Sequence, residues 1–334
     1  MSGAETDGAH DGSGGDTATA DDLLELPGGI IQLDTRTAGV SHVTAGFLIR
    51  APRPALVECG PSLTIDSVVD ALARLGLDPD DLAYLIVSHI HLDHAGGAGD
   101  IARTFGSATV VVSDIGARHL EDPTRLNASS RRVYGDLMDT VYGDCTPIDG
   151  DRILGVEDRT GLDLGGGHTL ELLATPGHAK HHISVLDHNS GALFVGDSVG
   201  VKTPHTGPLR PATPPPDFDL ELAQSTIDRY RRIDPQRIYL AHYGAVDPPH
   251  DTLAEASEQL AAWAEVAREA VIEHDELDHV ADTLARRFAV ATADEPADEE
   301  TTRRLEVLGG FRTNGMGLLR YWRKRLAADD TGAD

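Results

Sequence analysis

Residues 88–97 read Ser88-His89-Ile90-His91-Leu92-Asp93-His94-Ala95-Gly96-Gly97, with three histidines and a carboxylate inside six positions. The apolar run Ala83-Tyr84-Leu85-Ile86-Val87 before it reads as a short buried strand, and a helix-like stretch follows Gly96 and Gly97. The polar side chains therefore sit where a strand ends and a helix begins, at the carboxyl edge of a sheet, where α/β proteins place their chemistry. In an extended segment alternate side chains share one side. His89 and His91 can thus reach one ion, and Asp93 and His94, in the turn beyond, another. Imidazole and carboxylate are ligands for zinc, or for iron or manganese. The plain alternative is a polar loop that happens to hold three histidines, but each buried imidazole would then need a partner or cost stability.

Further ligand-type residues stand at later strand ends. Thr175-Pro176-Gly177-His178 follows the strand-like 169–174, Phe194-Val195-Gly196-Asp197 ends a second apolar run, and Tyr239-Leu240-Ala241-His242 ends a third. His-x-His-x-Asp-His followed by a His, an Asp and a His at strand ends resembles the metallo-β-lactamase superfamily, and within it the dinuclear hydrolases typified by glyoxalase II and quorum-quenching lactonases. The resemblance covers roughly residues 25–245. Its motifs are specific for fold and metal site and say little about substrate. It implies an α/β fold, a four-layer αββα sandwich, with a C-terminal α-helical subdomain. It implies that His89, His91 and His178 hold a first metal, that Asp93, His94 and His242 hold a second, and that Asp197 bridges them. Asp93 and Asp197 are then the catalytic carboxylates. One departure lies at Glu58-Cys59-Gly60, where the family often has Asp in an Asp-x-Gly segment; Glu58, Ser88 and His182 are expected to support the ligands rather than bind metal.

Two divalent ions, Zn²⁺ first with Fe or Mn left open by ligand chemistry, imply a metal-dependent hydrolase. A metal-bridging hydroxide would attack a thioester, lactone or other ester of a small molecule. Two readings compete with this one: an iron-dependent sulfur dioxygenase-type oxidoreductase on the same scaffold, and a non-catalytic binding protein that keeps the fold.

The chain has 334 residues, enough for one large domain and a small one, and a formal charge of −27 from 55 acidic against 28 basic residues. Only Lys180, Lys202 and Lys324 are lysines. An acidic, lysine-poor surface fits a halophilic protein that stays hydrated in high salt. No basic stripe exists to meet phosphates, so nucleic acid is not an expected partner. No apolar run is long enough to span a bilayer, so no membrane partner is expected. Residues 1–22 are rich in Gly, Asp, Ser, Thr and Ala and read as a disordered acidic tail rather than a signal peptide, which makes the expected location cytoplasmic. Cys59 and Cys145 give no disulfide framework and are expected reduced.

Along the rest of the chain, strands are expected at 30–33, 43–49, 55–58, 84–88, 109–113, 170–174, 182–186, 193–195 and, as the last one, 237–241. A helix fits 65–75 with Thr64 and Asp66 as caps. Residues 123–142 read as a helical insertion carrying Arg125, Arg131, Arg132, Tyr134 and Tyr142, and 151–167 as a turn-rich hairpin zone. Residues 202–217 hold six prolines and form a loop beside Asp197. Lys202, His205 and Arg210 in that loop, and Tyr243 after His242, are the candidate substrate-binding residues. The catalytic domain is expected over 23–250 and a helical cap over 251–328, with helices at 253–272, 277–291 and, interrupted by Gly309, Gly310, Gly315 and Gly317, at 301–326. The cap either covers the site or serves as packing or as the contact of a homodimer.

Overall fold

The computed structural model describes residues 23–202, 208–289, 303–304, 308 and 310–331. The acidic tail over 1–22, His205, and the break around Pro296 lie outside the described residues.

The first half of the chain builds a seven-stranded sheet in sequence order. Its strands are β1 (Leu23–Leu26), β2 (Ile30–Asp34), β3 (Ala45–Ile49), β4 (Ala55–Val57), β5 (Tyr84–Ile86), β6 (Thr109–Ser113) and β7 (Ile153–Val156). β1 to β4 pair antiparallel, and β4 to β7 pair parallel through helical crossovers. The second half builds a six-stranded sheet from β8 (Thr160–Asp163), β9 (Thr169–Ala174), β10 (Ile183–Asp187), β11 (Ala192–Phe194), β12 (Arg237–Leu240) and β13 (Gly244–Val246). The helices are α1 (Ile65–Arg74), α2 (Leu92–Ala95), α3 (Ala98–Thr104), α4 (Asp114–Glu121), α5 (Thr124–Tyr134), α6 (Leu220–Ile233), α7 (Pro249–Glu273), α8 (Leu277–Phe288) and α9 (Gly310–Thr331).

Strand alternation sorts the apolar side chains into three clusters and hence four layers. In β3, β5, β6 and β12, residues Phe47, Ile49, Ile86, Val111 and Tyr239 face the gap between the sheets. Their neighbours Leu48, Leu85, Val110 and Val112 face α1 and α3 instead. Ile238 and Leu240 face α6 and α7, where Trp263, Leu260, Leu284 and Leu318 complete the cluster. The ring of Phe47, from the first sheet, lies 5.2 Å from Phe194 and 5.5 Å from Tyr239 in the second. The C-terminal helices therefore share one hydrophobic cluster with the second sheet.

The hairpin expected over 151–167 does not form. β7 joins β6 in the first sheet, while β8 joins β9 in the second, so residues 157–159 cross between sheets. Asp158 holds that crossing: its carboxylate accepts from Ala174 N at 2.9 Å and pairs with Arg229 at 2.8 Å. β12 is not the last strand either, because β13 returns antiparallel beside it. α4 was not expected; Ser113 caps it, its hydroxyl accepting from Gly116 N at 3.2 Å. Thr64 occupies the N-cap of α1 without a side-chain bond.

α9 runs unbroken through Gly315 and Gly317. These glycines serve close approach rather than a bend: a Cβ on Gly317 would lie 1.9 Å from Thr213 O. The helix backbone thus rests on the proline-rich loop that follows Asp197.

Candidate metal centre

Each motif histidine or aspartate stands just beyond a strand. His89 and His91 follow β5; His91 is the N-cap of α2, which carries Asp93 and His94. His178 follows β9, Asp197 follows β11 and His242 follows β12. Backbone bonds between the two sheets hold these ends together: Ile183 N donates to Ser88 O at 2.8 Å and Ala45 N to Ala241 O at 2.8 Å.

His89 Nε2, His91 Nδ1 and His178 Nε2 lie 2.8 to 3.2 Å from one another. A few ångströms away, His94 Nε2 and His242 Nε2 face Asp93 Oδ2 at 3.5 and 3.4 Å. Asp197 stands between the two sets. Its Oδ1 is 3.5 Å from His94 Nε2 and 3.4 Å from His242 Nε2, and its Oδ2 is 3.5 Å from His178 Nε2. Tetrahedral zinc with bonds of about 2.0–2.1 Å separates neighbouring nitrogen ligands by about 3.3 Å, so these spacings are those of ligand shells.

The donor set fits two cations on independent grounds. His178 Nδ1 donates to Ala212 O at 3.0 Å and His242 Nδ1 to Val43 O at 2.6 Å. A neutral imidazole that donates through Nδ1 turns a bare lone pair inward at Nε2. His94 Nε2 and Asp197 Oδ1, both turned into the ligand set, are buried without a hydrogen-bond partner. Such orphaned polar atoms are costly unless something binds them. Burial and neighbouring imidazoles push His89 well below the ordinary histidine range and His91 down to about 3. Burial also lowers His178. Burial opposes protonation of His94 and His242 as well, but Asp197 and Asp93 outweigh it and raise both. Attraction to His94 and His242 in turn overcomes burial and lowers Asp197.

Glu58 adopts a left-handed backbone with φ 63°. Its Oε2 accepts from Ser88 N at 3.3 Å and its Oε1 lies 3.5 Å from His94 Nδ1, so the longer carboxylate reaches the imidazole from behind. Ser88 Oγ lies 2.8 Å from His89 Nδ1. His182 Nε2 accepts from Asp197 N at 3.3 Å, and its Nδ1 meets Thr175 Oγ1 at 2.8 Å. Both of its ring nitrogens are thereby engaged away from the two ligand sets.

A pocket opens over the ligands, with His91, Asp93, His178, Asp197 and His242 in its floor. Its walls are not those expected. Lys202 Nζ pairs with Glu255 at 3.2 Å, Arg210 lies over the Phe311 ring at 5.3 Å, and Tyr243 packs against His42 at 4.7 Å. None of these three lines the pocket. Its walls come instead from Tyr134 and Tyr142 of the helical insertion, Val201, Ala212 and Pro214 of the proline loop, and Leu308, Thr313 and Asn314 beside and on α9. The C-terminal helical region thus reaches the site. Cys59 and Cys145 are free and buried; burial raises Cys59 and pushes Cys145 up to about 12, so neither is a ready nucleophile.

The sequence profile of the metallo-beta-lactamase superfamily matches residues 38–242. The chain belongs to the metallo-beta-lactamase superfamily. A metallo-beta-lactamase fold-containing protein of Sulfurisphaera tokodaii is 34% identical over 199 residues, 58% of this chain and 73% of that one. An N-acyl homoserine lactonase of Bacillus thuringiensis is 28% identical over 174 residues, 50% of this chain and 57% of its own length. A putative diflavin flavoprotein of Thermosynechococcus vestitus is 30% identical over 198 residues, 56% of this chain but only 30% of that protein. Among solved structures, an archaeal superfamily member from Sulfolobus tokodaii superposes with a TM-score of 0.61 at 25% identity, covering 85% of this chain and 93% of that one. Among the described residues, no helix is long and apolar enough to cross a membrane.

Proposed function

We propose that this superfamily member is a hydrolase that binds two divalent ions, zinc by the chemistry of its ligands, and cleaves a lactone, thioester or other ester of a small molecule. The observation that carries this reading is the division of Asp197, one oxygen toward each set of ligands. When bound, two such ions lower the pKa of water and polarise a carbonyl. The chain's own residues prepare that chemistry. His89, His91 and His178 offer neutral lone pairs to the first ion. Asp93, His94 and His242 would hold the second, and Asp197 would stand between the two. Asp93, 23% exposed, is more open to the pocket than His94 or His242 and is placed to exchange a proton with a departing group. The similarity to a named lactonase supports ester chemistry. The similarity to a putative diflavin flavoprotein keeps a redox function as the second reading, and imidazole and carboxylate ligands also suit iron.

Metal analysis of protein purified without added metal, followed by turnover assays on lactones, thioesters, aryl esters and phosphodiesters, separates the two. About two zinc ions per chain with acyl hydrolysis is the expected result. Bound iron with oxygen consumption and no hydrolysis would replace the hydrolase reading by the redox one.

A further inference from the structure

The following inference rests on the hydrolase reading and concerns what the site takes. Tyr134 closes α5, and Tyr142 closes the π-helical turn Met138–Tyr142, both in the insertion between β6 and β7. Their rings lie 4.7 Å apart at 45°, and both line the pocket that Asp93 also lines. Among the described residues neither phenol has a hydrogen-bond partner. Neither hydroxyl is among the buried unpartnered atoms, so each is open to solvent. A hydroxyl on a residue that lines a pocket and is hydrated there can exchange that water for a substrate oxygen. Burial, with Asp93 and Asp197 nearby, raises Tyr134 above the ordinary phenol range, and burial with Asp93 raises Tyr142. Both therefore stay protonated and can donate.

The remaining walls carry no charge. Val201, Ala212, Pro214 and Leu308 are apolar, and Thr313 offers a neutral hydroxyl. Asn314 is already committed, its Oδ1 accepting from Thr213 and its Nδ2 donating to Gly310 O at 3.0 Å. Among the described residues no lysine or arginine lines the pocket. A carboxylate or phosphate carried at a distance from the metal ions would need such a cation, or several N–H donors, to repay its desolvation. It would also approach a chain of formal charge −27. An uncharged molecule rich in oxygen acceptors meets neither obstacle.

We propose that Tyr134 and Tyr142 are the residues that read the substrate, and that the site takes an uncharged lactone or ester whose carbonyl or alkoxy oxygen accepts from the two phenols. In the reaction, water oxygen bonds to the acyl carbon, the acyl C–O bond breaks, and the departing oxygen takes up a proton. The phenols hold that oxygen through hydrogen bonds and transfer nothing net.

The test uses the full-length, metal-loaded protein with Tyr134→Phe, Tyr142→Phe and the double variant, which keep the rings. Metal content should stay at the wild-type value in all three. On δ-valerolactone and phenyl acetate, kcat/KM should fall about tenfold or more in the double variant, since a hydrogen bond worth about 1.4 kcal/mol is a factor of ten. Wild-type protein should favour neutral dimethyl succinate over anionic monomethyl succinate by at least about tenfold on the same conversion. As a readout without turnover, δ-valerolactam binding followed by calorimetry should weaken in parallel with kcat/KM. Wild-type kcat/KM and lactam affinity in the double variant would overturn the phenol contact and leave the hydrolase reading standing. A preference for monomethyl succinate would overturn the uncharged class. Phenol-dependent lactam binding with no ester cleaved by wild type would support the contact while overturning the hydrolase reading.

Discussion

Asp197 turns Oδ1 toward His94 and His242 and Oδ2 toward His178, all at 3.4 to 3.5 Å. An amide in its place keeps one oxygen acceptor and substitutes an N–H donor, which cannot ligate a cation. Asp197→Asn should therefore retain the first ion, bind the second more weakly, and lose more than about 10²-fold in activity, beyond the roughly 10- to 100-fold that loss of a mere supporting side chain costs a metal site. Circular dichroism should stay that of wild type, because position 197 lies outside both β11 and β12. Two tightly held metals and wild-type turnover would count against the bridge. The same residues set a pH order. His91 is held at about 3 and His89 and His178 lie below the ordinary range, so the first ion displaces no protons from them above mildly acid pH. His94 and His242 are raised, so the second ion must expel protons, and its affinity falls as pH drops through their raised values. Dialysis at stepwise lower pH should release the second ion first. Simultaneous loss of both would refute this order.

The elements differ in how far their roles could be read from residues alone. Strands that end in a ligand were legible, because a short apolar run followed by His or Asp marks both the element and its job; β5, β11 and β12 fall within one or two residues of their expected bounds. The crossing from β7 to β8 was not, since adjacent strands with a turn between them look alike whether they pair or part, and the deciding bonds of Asp158 join residues far apart in sequence. The pocket walls were hidden for the same reason. Tyr134 and Tyr142 stood out only as members of an insertion, and Asn314 carried no signal at all.

Asn314 nevertheless ties α9 to the first ligand set. Its Oδ1 accepts from Thr213 N at 2.6 Å and from Thr213 Oγ1 at 3.0 Å, beside Ala212, whose carbonyl orients His178. Asn314→Ala strands the buried Thr213 groups, at a cost of about 1–3 kcal/mol, and frees the carbonyl that holds His178. Thermal stability should fall, and the visible spectrum of the cobalt-substituted protein should change. Asn314→Asp, which retains the acceptor but loses the donor to Gly310 O, should restore the cobalt spectrum and only part of the stability. A lower Tm with an unaltered cobalt spectrum would limit Asn314 to a packing role.

At the scale of the molecule, 55 acidic residues against 28 basic ones leave a self-repulsion that only solvent ions can screen. Local pairs such as Arg131 with Asp139 at 2.9 Å are exposed and contribute little. Salt weakens those pairs slightly but screens the excess charge everywhere, with a Debye length that shrinks from about 10 Å at 0.1 M to about 3 Å at 1 M. The net effect should be a Tm that rises steadily from 0.1 M to molar KCl. A flat or falling Tm would mean that the acidic surface is not an adaptation to salt.

The expectations for Asp197 and for the pH order of metal loss converge on a two-cation centre divided by one carboxylate. Anomalous diffraction from crystals grown with zinc, recorded on both sides of the zinc edge, tests that centre most directly. The expected result is two peaks about 3.5–4 Å apart, one among His89, His91 and His178, the other among Asp93, His94 and His242, with one oxygen of Asp197 on each. A single ion, or two ions with both Asp197 oxygens on the same one, would contradict the account.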